Sequence, residues 1–193
     1  MGAIVGVHRI AQQFVSSYEL GSCWFDALRG GLELAGWEGV ADALGEGDLR
    51  VAFFGDLFRP TAALAFGEPA YGPDDIRPGL DRDLLTAFYD AALEKEPGLA
   101  PPERAMGVHR AATAFMPRQL LRSRTFAGLT QRAFIGNLRQ VSDYLTDPAT
   151  KEAALRRLGK LVDDDTRVLI GHSLGSVIAY YSSCTSLSPL VKG

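Results

Sequence analysis

Short runs of β-branched and aliphatic residues alternate along this chain with longer stretches in which apolar residues recur every three or four positions. Ile4-Val5-Gly6-Val7-His8 reads as a short buried strand, and Arg9 to Gln13 as the loop leaving it. Ser22 is a plausible N-cap for a helix whose Phe25, Leu28 and Leu32 share one face, with Gly36 or Gly39 as the stop. Leu49 to Phe54 is a second strand, bounded by Gly47-Asp48 and Gly55-Asp56. Strand, helix and strand in this order predict a βαβ unit with parallel strands and a right-handed crossover.

The stretch 57–79 is rich in proline and glycine and reads as a long surface excursion. Asp81 to Glu94 is helical by spacing, with Leu84, Phe88 and Ala91 or Ala92 on one side, and Glu96-Pro97-Gly98 ends it. Pro101-Pro102 suits a first helical turn, and Met106, His109 and Phe115 follow until Pro117 interrupts. Thr130 to Asp147 carries the strongest helical pattern, Phe134, Leu138, Val141 and Leu145 recurring at i, i+4, i+7 and i+11. Asp147-Pro148 pairs an N-cap with a first-turn proline for a helix containing Leu155, Leu158 and Leu161. After the acidic turn Asp163-Asp164-Asp165, Arg167 to Ile170 form a third strand, followed by Gly171-His172-Ser173-Leu174-Gly175 and a helix-like run from Ser176 to Tyr181.

The pattern predicts an α/β fold: a small parallel sheet with flanking helices, in one domain spanning 1–193, with 57–165 as a large helical insertion or crossover before the third strand. Composition fits it. Of 193 residues 47% are hydrophobic and 22% charged, neither disordered nor membrane-spanning in character. The net charge of −3 gives no electrostatic reason for a nucleic-acid partner, and Arg118, Arg122 and Arg124 make too short a basic cluster to track phosphates. Cys23 and Cys184 are far apart and unlike any metal spacing, so neither a disulfide framework nor a metal site is expected. No run reaches the ~18 apolar residues of a membrane helix, and no signal peptide is expected. The chain reads as cytoplasmic, without a cofactor.

The chemistry concentrates at residues 171–175. Strand, then Gly-x-Ser-x-Gly, then helix is the pattern of a nucleophile elbow, in which small residues two before and two after the serine permit a very sharp turn. Such a turn lifts the Ser173 hydroxyl clear of the sheet. It also leaves the Leu174 N–H at a helix start, where a developing oxyanion is stabilised.

These elements resemble the α/β-hydrolase family of serine esterases and lipases. The resemblance implies Ser173 as nucleophile, Gly171 and Gly175 as the elbow glycines, and oxyanion donors from the backbone of Leu174 and of Arg9 or Ile10. The substrate class implied is a small-molecule carboxylic ester or thioester. Arg9 stands where the family has glycine. Residues 174–193 contain no Asp, Glu or His, although the family's acid and histidine follow the nucleophile in chain order. His8, His172 and Asp56 are the supporting candidates within this chain; His8 is expected to help hold the oxyanion loop, and His109 is a weaker candidate. The implied sheet order leaves the third strand on an edge, although Val168-Leu169-Ile170 is apolar enough for burial on both faces. Thr185 to Val191 offers at most a stub beside it. A partner strand or a missing C-terminal segment is therefore expected, and the rival reading is a truncated or inactive hydrolase-like protein serving as a binding or interaction module.

Overall fold

The computed structural model describes residues 3–59, 71–96, 98–99 and 109–186, without the side chains of 109–112 and 185–186. It divides into two compact units, one of Met1–Arg59 with Asp147–Gly193 and one of Pro60–Thr146. The fold is mixed α/β, with one small, open parallel sheet and flanking helices.

The first unit holds the sheet. Strands β1 (Ile4–Val7), β2 (Leu49–Ala52) and β3 (Val168–Gly171) run parallel in the order β2-β1-β3. Ile4 is level with Leu49 and Val168, and Val7 with Ala52 and Gly171. The sheet's two faces differ. Val5, Val7 and Ala52 are at most 1% exposed. Gly171, on their face, meets Ser176 of helix α7 (Leu174–Ser186), so this is the face that α7 closes, burying Ile178 and Ala179. Helix α6 (Pro148–Gly159), with Ala154 and Leu158 buried, packs against α7. Over the opposite face lies α1 (Ser17–Leu34), whose Trp24 sits on Gly6 so closely that a Cβ there would be 2.8 Å from the indole. A short helix α2 (Glu38–Ala43) leads to β2.

In the second unit, α3 (Leu80–Lys95), α4 (His109–Leu120) and α5 (Gln131–Thr146) enclose a core that includes Leu85, Tyr89, Leu120, Phe134, Ile135 and Leu138. Asp81, 1% exposed, is held by Arg77 through Nε at 2.9 Å and Nη2 at 3.0 Å, and Arg77 also reaches Asp143 at 2.6 Å. A buried carboxylate is tolerable only with such partners.

Several expectations shift. Helix α1 begins six residues earlier than a cap at Ser22 would open it: Ser16 is the N-cap, its Oγ accepting from the Glu19 N–H at 3.1 Å. The spacing Ser16-x-x-Glu19 is a capping-box signature, which outcompetes Ser22 inside the helix. Gly36, at φ +78°, does end it, in a Schellman turn with N–H bonds from Gly36 to Glu33 O and from Trp37 to Leu32 O. Strand β2 stops at Ala52 rather than Phe54, because the Phe54 N–H is taken by the His8 ring. Pro117 lies inside α4 instead of interrupting it; near a helix end, its missing N–H removes one ladder bond and the turn completes with Leu121 N–H on Pro117 O. On α5 the buried stripe runs through Phe134, Ile135, Leu138 and Ser142, leaving Leu145 45% exposed. Strand β3 is an edge strand among the described residues and Val168 is 45% exposed, so the two-sided burial expected of it is not found. Thr185 and Ser186 are helical, the last residues of α7 rather than a strand stub. Residues 60–70, Pro101, Pro102, Met106 and 187–191 lie outside the described residues.

Candidate nucleophile site

Ser173 occupies the bend between β3 and α7 with φ +57°, a left-handed conformation that costs a non-glycine residue roughly 1–2 kcal/mol. The two glycines around it are dictated by contact. A Cβ on Gly175 would lie 2.1 Å from Val7 O and 2.5 Å from His8 O; one on Gly171 would lie 2.5 Å from Ser176 Cα. Both collisions are with backbone, so no rotamer change relieves them. The Gly-x-Ser-x-Gly spacing is thus a steric requirement for bringing the first turn of α7 against the end of β1.

The consequence is an exposed Ser173 side chain above a buried Leu174 and Gly175. The bend is closed from inside by Gly175 N–H on His172 O at 3.0 Å, by Ser176 N–H on Ser173 O at 2.9 Å, and by the Ser176 hydroxyl on the same oxygen at 2.5 Å. Neither the Ser173 hydroxyl nor the Leu174 N–H has a hydrogen-bond partner among the described residues. A free hydroxyl beside a free N–H at the head of a helix can present a nucleophile and receive a negative oxygen.

The loop after β1 faces this bend, and His172 N–H ties the two through Val7 O at 3.0 Å. Its shape is fixed by buried contacts. His8, 1% exposed, accepts from the Phe54 N–H at Nε2 (2.9 Å) and therefore carries its proton on Nδ1, which donates to Arg9 O at 2.6 Å. Its ring stacks on Phe54 with centroids 3.8 Å apart. Burial pushes the His8 pKa down to about 4, so the ring is neutral and both nitrogens are engaged. His8 is a strut under the loop. Ala11 takes φ +64°, Gln12 and Gln13 are buried, and Gln12 O lies where a Cβ on Gly55 would stand, at 2.5 Å. Arg59 Nε donates to Gln13 O at 2.9 Å. The N–H groups of Arg9 and Ile10 make no hydrogen bond among the described residues.

Asp56 follows β2 on the same edge of the sheet. Its carboxylate is gripped by both Arg157 guanidinium nitrogens, one of them at 2.9 Å, and Arg157 also donates to Phe53 O at 3.1 Å. That hydrogen bonding holds the Asp56 carboxyl below the usual carboxylate range. Asp56 thus anchors α6 to the end of β2. His172 is exposed, and its ring makes no hydrogen bond among the described residues. His109 is the first residue of α4, and its side chain lies outside the described residues.

Residues that sequence reasoning did not single out do much of the shaping: Arg157, Gln12, Gln13 and Ala11. Only the close spacing of Gly55 and Asp56 after β2 hinted at a tight approach there. The described residues contain no His, Cys, Asp or Glu group that could hold a metal ion, and no helix long and apolar enough to cross a membrane. Among known proteins, no family model, no curated protein and no solved structure matches this chain.

Proposed function

We propose that this chain is a serine hydrolase of the α/β-hydrolase type, acting on a carboxylic ester or thioester through Ser173. The observation that carries the reading is the left-handed Ser173, exposed on a strand-to-helix bend whose flanking glycines leave no room for a Cβ. A strained conformation at an exposed serine has no packing benefit to offset it. Ser173 Oγ attacks the acyl carbon to give a tetrahedral oxyanion whose charge Leu174 N–H with Arg9 or Ile10 N–H receives; the C–O or C–S bond then breaks, the alcohol or thiol leaves with the hydroxyl proton, and water hydrolyses the acyl-enzyme to the carboxylic acid and restores Ser173.

Activation of the hydroxyl is the weak part of the site. His8 is locked and neutral, Asp56 is spent on Arg157, and Ser173 meets no base among the described residues. Oxyanion donors and binding alone leave acceleration on the order of 10³-fold over water. A strand pairing with the outer edge of β3, from a partner, belongs to the same reading; the exposed apolar Val168 supports it. The free thiols of Cys23 and Cys184 fit a reducing, cytoplasmic setting.

The engaged His8 and Asp56 favour a second reading, a hydrolase-like binding module without turnover. A fluorophosphonate probe separates the two. Labelling of the folded chain that disappears in Ser173→Ala supports the hydrolase. Folded protein that stays unlabelled supports the binding module.

A further inference from the structure

Between α1 and the less covered face of the sheet lies a cavity of about 560 Å³. Its volume is that of a small-molecule pocket, for which ~300–1,000 Å³ is usual. Leu20, Trp24 and Leu28 of α1 form one wall, with Leu49 of β2 and Ile170 of β3 opposite. The polar groups gather among Arg9, Gln12 and His172. These come from the two segments that build the nucleophile site: the loop after β1 and the bend that carries Ser173.

Gln12 is the telling residue. It is 93% buried by its 7% exposure, lines the cavity, and its side-chain amide has no hydrogen-bond partner among the described residues. An amide without a protein partner on the lining of a cavity is available to a hydrogen-bonding group held there. Arg9, also on the lining, makes no ion pair among the described residues. The opposite charge on the lining is Glu19, exposed in the first turn of α1.

We infer that this cavity is an acyl-binding pocket: the apolar body of an acyl group packs against Trp24, Leu28 and Ile170, and its oxygen-bearing end is met by Arg9, Gln12 and His172. That the acyl group belongs to the ester attacked by Ser173 rests on the hydrolase reading. Binding itself does not, because none of the pocket's contacts uses the hydroxyl.

The chain has two tryptophans, and Trp37 is 61% exposed, so Trp37→Phe leaves Trp24 as sole reporter inside the pocket. In a Trp37→Phe, Ser173→Ala background, octanoate should change the Trp24 emission saturably and bind about tenfold tighter than octylammonium, since a charged donor acts on the oxygen end. Arg9→Ala should remove that tenfold preference. Ala27→Phe, an exposed α1 position on the cavity lining, should abolish the change while the far-ultraviolet circular dichroism stays that of the parent. No saturable change, or saturation that survives Ala27→Phe, overturns the pocket. Equal binding of octanoate and octylammonium overturns the assignment of its polar end. Because the hydroxyl is absent throughout, these outcomes are separate from failure of the probe to label Ser173.

Discussion

Replacing Gly175 by alanine tests the elbow at the point where space is least. The new Cβ would stand 2.1 Å from Val7 O, and the neighbouring contacts are His8 O at 2.5 Å and Val7 C at 2.6 Å. To reach even 3.0 Å from Val7 O, helix and strand must part by about 0.9 Å. That separation loosens Leu174 and Ile178, which are 4% and 0% exposed. Overpacking against rigid backbone costs about 3 kcal/mol here, the upper end of what core insertions usually show. With a urea m-value of ~2 kcal/mol/M, the unfolding midpoint falls by about 1.5 M. Gly31→Ala is the control: it lies within α1, a Cβ there meets nothing within 4 Å, and the exchange should stabilise by ~0.5–1 kcal/mol. Urea unfolding followed by circular dichroism measures both. A Gly175→Ala variant within ~0.5 kcal/mol of the parent, still labelled by the probe, would refute the steric argument.

Ser173→Gly should raise stability by ~0.5–1 kcal/mol while Ser173→Ala does not, since only glycine relieves the left-handed φ; thermal unfolding of the pair checks this, and equal stabilities would deny the strain. His8 binds its proton at about pH 4 when folded against an ordinary value of 6.5, so the unfolded chain takes up more protons between those values. Its contribution is therefore complete above pH 6.5 and falls away by about 3 kcal/mol as pH drops to 4. Urea midpoints measured across that window should carry this slope, and His8→Phe should flatten it. Asp56→Asn should cost about 1 kcal/mol, modest because the ion pair with Arg157 is partly exposed, and leave probe labelling unchanged; a stable variant that loses labelling would return Asp56 to the chemistry.

The parts of this fold legible in the sequence are those whose cause is local. Ile4 to Val7, Leu49 to Ala52 and Val168 to Ile170 announce strands by composition, and the glycines at 171 and 175 announce a bend by spacing alone. Asp147-Pro148 likewise predicts its helix start, and the Asp147 carboxylate does accept from the N–H groups of Ala149 and Thr150. What was hidden depends on partners distant in the chain. The tautomer of His8 is locked by Phe54, and Asp56 is occupied by Arg157, about a hundred positions away. No periodicity or motif encodes those pairings. The start of α1 is a different case: Ser16-x-x-Glu19 was there to be read, but three glycines at 21, 30 and 31 weaken the helical pattern around it. The surplus of Val168 exposure arises because β3 has a neighbour on one side only among the described residues.

The most direct measurement is the mass of the tryptic peptide spanning Ser173 after the folded chain is incubated with a fluorophosphonate, beside a sample incubated in urea. A phosphonyl adduct on Ser173, formed in the folded sample and absent from the unfolded one, is the expected result. No adduct on that peptide in folded protein, or equal modification in both samples, would contradict an activated Ser173.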